Sequence, residues 1–205
     1  MKLYYAPGTC ALGIHVLLEE IAAPYDVHKI SFADKEQYGA AFKAINPKSK
    51  VPTLVRDDGS VLTEFPAIAL WLALTNPEAS LLPEDAEGRA RALEMTDYVV
   101  ATAHMQGFSR MFRPERYSPT ASDSEAVAAQ GREIVEAAFA IISERLADRP
   151  YVLGSYSIAD AALFYVEYWA IARVKMALPA NCERHFQAMK ARPAVQRALA
   201  AEGLV

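Results

Sequence analysis

The first 75 residues alternate short β-prone stretches with helical patterns of apolar residues. The segment "KLYY" favours a strand, and "CALGIHVLLEE" after it has apolar residues at helical spacing. The segment "YDVHKI" favours a second strand, and "EQYGAAFKAI" favours a short helix that ends at Asn46-Pro47. The pattern therefore predicts a β-α-β unit followed by a helix.

The next stretch predicts a hairpin and a buried helix. The segments "VPTLV" and "SVLTE" flank Asp58-Gly59, a turn that joins antiparallel strands. Pro66 then opens "PAIALWLAL", with proline in the first helical turn and Phe65 as the expected N-cap. We therefore predict a complete α/β domain over residues 1–77.

The segment "TNPEASLLPEDAEG", rich in proline and acidic residues, is expected to be a linker. Beyond it the periodicity favours helices over 89–113, 124–148, 157–175 and 182–200, which predicts an all-α domain over residues 88–205. Ser157 and Asp160 in "SIAD" form a capping box, and the nearly all-apolar helix after it should be the central one.

The charge, the length of the apolar runs and the number of cysteines exclude several classes of function. The net charge is -4, and basic residues are scattered among acidic ones without forming a stripe, which argues against nucleic-acid binding. The longest apolar runs are far shorter than the roughly 20 residues that span a bilayer, so we expect no membrane segment. Two cysteines and no signal-peptide pattern favour a reducing, cytoplasmic location without a disulfide or metal. A small molecule or a protein is the expected partner.

Cys10 follows a Pro-Gly-Thr turn at the start of the first helix. The helix N-terminus should lower the pKa of its thiol, which would make Cys10 reactive or a contact for a ligand's sulfur. The alternative is a small buried apolar side chain. Gly13 stands where a Cys-x-x-Cys enzyme needs its second thiol, and His15 points away from Cys10 around the helix.

Val51 and Pro52 in "KVPTL" are a candidate cis peptide bond at a strand entrance. Such a turn would leave the backbone of Val51 free to pair with an extended peptide. A trans-proline loop is the alternative.

Glu64 precedes a helix start whose unpaired amides could bind a ligand carboxylate, while Glu64 binds an ammonium. The alternative is an acidic residue that only interacts with the helix dipole.

His104 lies in the middle of a helix in "VVATAHMQGF". It is a candidate acid, base or hydrogen-bond donor to a sulfur. The alternative is a partly exposed histidine without a catalytic role.

As a set, several segments in order resemble a glutathione transferase of the bacterial beta class: "MKLYYAPGTCAL", "INPKSKVPTL", "GSVLTE", "GFSRMFRP", "SIADAALF" and "ARPAVQRALAAEGLV". The resemblance covers essentially the whole chain. It implies an α/β thioredoxin-like first domain, an all-α second domain and a homodimer. It also implies glutathione as co-substrate and a small hydrophobic electrophile as the second substrate.

The resemblance assigns glutathione-binding residues one by one. Cys10 matches the cysteine that contacts the glutathione sulfur or forms a mixed disulfide with it, and Val51 matches the residue whose backbone pairs with the cysteinyl group. The full expected set is Cys10, Lys35, Lys50, Val51, Pro52, Glu64 and Phe65. Cys10 and His104 are the catalytic candidates, and no metal is expected.

Three positions depart from the family pattern. Ala11 stands where relatives often have serine, and Phe65 replaces a small or hydroxylated residue, so that only its amide can bind. Met105 aligns with a histidine of relatives, and His104 lies one residue earlier, about 100° away around the helix.

The sequence therefore supports an enzyme that conjugates glutathione to electrophiles or uses it to reduce disulfides and peroxides through Cys10. The alternatives are a non-catalytic ligand-binding protein with aromatic residues such as Phe108, Phe112 and Tyr117 in its cleft, and a scaffold protein of the same fold.

Overall fold

The structure is a computed structural model, and it describes residues 1–118 and 120–205. Contacts between residues divide the chain into two compact units. Unit 1 consists of Met1–Leu82 together with Met189–Val205, and unit 2 of Pro83–Ala188.

Unit 1 contains a mixed sheet of four strands in the order β2-β1-β3-β4. Strand β2 is parallel to β1, whereas β3 is antiparallel to both β1 and β4. This arrangement confirms the predicted β-α-β unit and hairpin. The strands are β1 (Lys2–Tyr5), β2 (Asp26–Lys29), β3 (Thr53–Val55) and β4 (Val61–Thr63).

Three helices connect and cover these strands: α1 (Ala11–Ile21), α2 (Ala40–Ile45) and α3 (Phe65–Thr75). Helix α1 buries an unbroken run from Ala11 to Leu18, and Leu3 and Leu54 of the sheet are fully buried. Burial of this apolar surface is the main favourable contribution to the folding of unit 1. The N-cap of α3 is Glu64, so the prediction of Phe65 as N-cap is wrong by one residue.

Unit 2 is helical wherever the structure describes regular elements, which confirms the predicted all-α region. Its helices are α4 (Ala86–Tyr98), α5 (Ser109–Phe112), α6 (Ser124–Leu146), α7 (Ile158–Tyr168) and, at its end, α8 (Ala180–Lys190). A π-helical segment, Val99–Phe108, joins α4 to α5, and another, Trp169–Arg173, continues α7.

Helix α7 is the central helix of unit 2, as predicted, with ten of its eleven residues buried. The capping box is also confirmed: the Ser157 amide donates to Asp160 Oδ2 at 2.8 Å, and the Ser157 hydroxyl accepts from the Ala159 amide at 3.3 Å. These bonds satisfy amides that the first helical turn leaves without intrahelical partners.

The stretch predicted as one helix over 182–200 is two helices, α8 and α9 (Pro193–Glu202). Pro193 lacks an amide hydrogen, and its ring disfavours a helical conformation at Arg192, which is extended. Helix α9 packs against α1, where Arg192 pairs with Glu20 and Arg197 pairs with Glu19. The end of the chain therefore completes unit 1.

Candidate active site

The turn after β1 is held in place by its own hydrogen bonds. The Thr9 hydroxyl donates to the Ala6 carbonyl at 2.7 Å and accepts from the Ala11 amide at 3.3 Å. Gly8 has a φ of 64°, a left-handed conformation that glycine adopts without steric cost. These bonds fix Cys10 directly before the first residue of α1.

The Cys10 thiol contacts the predicted peptide-binding residue. Its Sγ donates a hydrogen bond to the carbonyl oxygen of Val51 at 3.5 Å, which brings together residues 41 positions apart. Sequence signals pointed to the two residues separately, and the structure brings them into contact.

Burial raises the pKa of Cys10 to about 12. The amides of Cys10 and Ala11 and the charge of Lys50 act in the opposite direction, and the Glu64 carboxylate adds to the rise. The residue as a whole is only half-buried, but its sulfur is desolvated. The prediction that the helix N-terminus yields a net lowering of this pKa is therefore wrong, because desolvation outweighs the helix amides.

The loop before β3 places Val51 at the sulfur. The Val51-Pro52 peptide bond is cis, as the sequence suggested, and both residues are buried. Lys50, beside them, has an exposed side chain.

Asn46 organises this loop from a buried position. Its side-chain amide donates to the Lys50 carbonyl and to the Thr53 hydroxyl, each at 2.8 Å, and its side-chain oxygen accepts from the Lys48 amide at 3.0 Å. Three bonds from one side chain thus fix the backbone on both sides of the loop. Sequence reasoning assigned Asn46 only to the end of a helix.

Glu64 lies at the N-terminus of α3 with a φ of 71°, a conformation that is costly for a residue other than glycine. Its carboxylate accepts from Lys48 Nζ at 2.7 Å, and the same ammonium donates to the Thr63 hydroxyl at 2.9 Å. The first helical residue, Phe65, is buried. An acidic group, an ammonium and a helix N-terminus thus meet at one point of unit 1.

A buried carboxylate from α9 supports the turn that carries Cys10. Glu202 Oε2 accepts from the Gly8 amide at 2.7 Å, and Oε1 lies 2.9 Å from His15 Nδ1. His15 thus contacts Glu202, in agreement with its predicted direction away from Cys10. The sequence pattern did not identify Glu202, because 194 residues separate it from Gly8.

Lys35 lies at the start of the short helical turn Glu36–Tyr38 in unit 1. It is exposed and has a left-handed backbone conformation, with a φ of 56°. The role that the resemblance implies for Lys35 stays a prediction.

In unit 2, His104 lies within the π-helical segment and is half-buried. Its Nδ1 is 3.2 Å from the Tyr165 hydroxyl, and its ring meets the Trp169 ring edge-on at 4.7 Å between centroids. Met105, the next residue, is 40% exposed. Long π-helical segments are rare and are often found at functional sites. The catalytic role of His104 stays a prediction.

Among residues 1–118 and 120–205, no group of three or more histidine, cysteine or acidic side chains is arranged to hold a metal ion. In the same part of the chain, no helix is both long and apolar enough to cross a membrane.

Two family models match this chain. The model of the glutathione S-transferase N-terminal domain matches residues 8–75, and that of the glutathione S-transferase C-terminal domain matches residues 125–201. The first match contains Cys10, Val51 and Glu64, and the second contains α7.

Curated proteins and solved structures agree with these matches. Glutathione S-transferase GstA of Escherichia coli O157:H7 is 38% identical over 212 residues, which cover 100% of both chains. The disulfide-bond oxidoreductase YfcG of Escherichia coli (strain K12) is 27% identical over 97% of this chain and 94% of its own length. The structure of a sphingomonad glutathione S-transferase complexed with glutathione aligns over 100% of both chains, with a TM-score of 0.85 and 34% identity.

Proposed function

Because the chain belongs to the glutathione S-transferase family and is a glutathione transferase with glutathione as co-substrate, we propose that unit 1 binds the tripeptide at the contact between Cys10 and Val51. The family and fold expected from the sequence motifs are thereby confirmed. The specific reaction and the second substrate are part of the proposal.

One observation supports this proposal most directly: Cys10 Sγ lies 3.5 Å from the carbonyl oxygen of Val51. An extended peptide can pair with exposed backbone as an added strand. A cysteinyl residue that pairs with the backbone of Val51 would carry its own sulfur to the Cys10 thiol. Glu64 would then bind the ammonium of the γ-glutamyl group, and the amide of Phe65 at the helix start would bind its carboxylate.

The proposed chemistry is conjugation. With a pKa of about 12, Cys10 stays a neutral thiol near pH 7 and can donate a hydrogen bond to a bound glutathione thiolate. Such a bond lowers the pKa of the glutathione thiol, whose proton passes to water. The thiolate sulfur then forms a bond to the electrophilic carbon, and the leaving group departs with its electron pair. Lys35 and Lys50 would add positive charge near the ligand.

A second candidate reaction is reduction of mixed disulfides, favoured by the similarity to a disulfide-bond oxidoreductase. There the Cys10 thiol first gives its proton to water, and the thiolate attacks the glutathione sulfur of a mixed disulfide; the other sulfur leaves with the electron pair of the broken S–S bond and takes up a proton as a thiol. A second glutathione then attacks the Cys10–glutathione disulfide, which regenerates Cys10 and forms oxidised glutathione. Cys182, the other cysteine, is fully buried, so glutathione itself would resolve this disulfide.

Further parts of the proposal rest on the family. We propose a homodimer that acts in the cytoplasm on a small hydrophobic electrophile, with His104 as a donor or base in the reaction. Free cysteines agree with a reducing compartment. A non-catalytic carrier or scaffold of the same fold is the alternative, and it predicts no turnover with glutathione.

Replacement of Cys10 separates these reactions. We expect Cys10→Ala to lower the conjugation rate with a chloronitrobenzene about tenfold, the effect of one lost hydrogen bond to a charged group. The pH at which the conjugation rate reaches half its maximum should also rise. Cys182→Ala, which removes the other free thiol, is the control and should behave as the parent.

Loss of disulfide reduction with intact conjugation in Cys10→Ala would instead assign Cys10 to the redox reaction. The absence of both activities from the parent protein would contradict the proposed function and favour the carrier or scaffold.

A further inference from the structure

We propose that Lys48 is a glutathione-binding residue that recognises the α-carboxylate of the γ-glutamyl group, beside Glu64, which recognises its ammonium. This inference deepens the proposed function and depends on it. Neither the family motifs nor the sequence pattern pointed to Lys48.

The Lys48 ammonium lies beside Glu64, the N-cap of α3. Lys48 Nζ donates to Glu64 Oε1 at 2.7 Å and to the Thr63 hydroxyl at 2.9 Å. These contacts place a positive charge at the N-terminus of α3, where backbone amides also attract an anion. A carboxylate and an ammonium side by side are complementary to an α-amino acid zwitterion, which carries both charges on one carbon.

The ion pair between Lys48 and Glu64 can change partners easily. The side chains of Lys48 and Glu64 are 52% and 58% exposed, and exposed ion pairs contribute little to stability. A zwitterionic ligand can therefore bind both side chains at once. Its ammonium replaces Lys48 as the partner of Glu64, and its carboxylate accepts a hydrogen bond from Lys48.

The carboxylate of the γ-glutamyl group needs a donor besides the amide of Phe65. Phe65 is buried, and its ring has no polar atom to bind a carboxylate. The amide of Phe65 alone would leave part of the carboxylate without a partner. Lys48 supplies the missing donor from the neighbouring loop.

The backbone of Lys48 is anchored by the same side chain that holds the backbone next to Val51. The Lys48 amide donates to the Asn46 side chain, which also binds the carbonyl of Lys50. Asn46 therefore positions both the lysine and the residue proposed to pair with the cysteinyl group. The buried side chain of Asn46 thus fixes the distance between the backbones of Lys48 and Val51, which are proposed to bind different parts of the same tripeptide.

Calorimetric titration with three reduced ligands tests this assignment. The ligands are glutathione, 4-aminobutyryl-cysteinyl-glycine, which lacks the α-carboxylate, and glutaryl-cysteinyl-glycine, which lacks the α-ammonium. The variants are Lys48→Met and Glu64→Gln. Lys43→Met, an exposed lysine on α2, is the control with the same change of charge.

We expect Lys48→Met to weaken binding of glutathione and of the glutaryl ligand about tenfold, the loss typical of one charge-assisted hydrogen bond. Its affinity for the aminobutyryl ligand should stay within twofold of the parent's. Glu64→Gln should show the reverse selectivity, and Lys43→Met should match the parent with every ligand.

An equal loss with all three ligands would overturn the assignment, because Lys48 would then act only through the loop or through Glu64. Unchanged glutathione affinity in Lys48→Met would overturn it as well, while leaving the proposed function intact. A parent protein that binds none of the ligands would contradict the proposed function itself.

Discussion

Units 1 and 2 each bury a histidine, against one carboxylate in unit 1 and against two in unit 2, and the two clusters differ in what those carboxylates bind besides the histidine. In unit 1, Glu202 contacts His15 and accepts from the amide of Gly8, in the turn that carries Cys10. In unit 2, His185 lies between Glu167, at 2.8 Å, and Asp160, at 3.2 Å.

The unit 2 cluster, which consists of His185, Glu167 and Asp160, forms its hydrogen bonds with buried groups of that unit. Asp160 also accepts from the amides of Val152 and Ser157, and so caps the buried helix α7. The two carboxylates raise the pKa of His185 to about 10 against the opposing effect of burial, and burial raises the pKa of Glu167 to about 7.

The comparison shows that a buried histidine with a shifted pKa does not by itself mark an active site. The unit 2 cluster stabilises a helix start and a loop. The unit 1 cluster differs because one oxygen of Glu202 binds the turn that presents a thiol. The role of a buried carboxylate depends on the groups that it holds in place. The contacts of each of its oxygens identify those groups.

The largest effect is expected from His185→Gln, which leaves two buried carboxylates without their cation. Breaking a buried ion pair on one side costs about 3 kcal/mol or more in the free energy of unfolding. Urea denaturation should show this loss, while glutathione affinity of the folded variant stays at the parent's value. A large drop in affinity at unchanged stability would contradict the separation of the two clusters.

A comparable loss of stability is expected when pH alone is changed. The folded pKa of His185 lies above its unfolded value of about 6.5, so the folded state binds the extra proton between that pH and about 10. The stabilisation is complete below pH 6.5 and is lost as pH rises through 10. The raised pKa of Glu167 acts in the same direction, because the stabilisation that it provides is lost as pH rises from about 4.5 to about 7.

Thermal unfolding from pH 6 to 10 measures this effect. The melting temperature of the parent should fall across this range, and that of His185→Gln should fall less. Parallel curves for the two proteins would show that His185 is not the group that titrates.

A smaller loss of stability, about 1 kcal/mol, is expected from Glu202→Gln, which keeps the shape of the side chain and removes its charge. Here, however, glutathione binding should weaken several-fold, because the Gly8 amide loses a charged acceptor and the Cys10 turn loosens. Calorimetry on the folded variant checks this. Binding at the parent's affinity would show that Glu202 supports the fold alone.

The sequence predicted what depends on local signals. The β-α-β order of unit 1, the Asp-Gly turn, the cis bond before Pro52 and the capping box at Ser157 are each encoded within a few residues, and the structure contains all of them. The single helix predicted over 182–200 is the exception, because it is two helices. The functional candidates Cys10, Val51 and Glu64 were found in the same way, from turns and helix starts.

Features that depend on long-range contacts escaped prediction. Glu202 is 194 residues from Gly8, and Lys48 is recognisable only once the loop places its ammonium at Glu64. The pKa of Cys10 depends on how much the fold desolvates the sulfur, which a helix-start argument does not contain. The π-helical segment around His104 carries no sequence signal either.

The central claim is that unit 1 binds glutathione through Cys10, Val51 and Glu64. It is tested most directly by calorimetric titration of the reduced protein with glutathione, repeated with Glu64→Ala and with Glu78→Ala, an exposed control. The account predicts saturable binding that Glu64→Ala weakens about tenfold and Glu78→Ala leaves unchanged. No saturable binding to the parent protein, or equal binding to all three proteins, would contradict it.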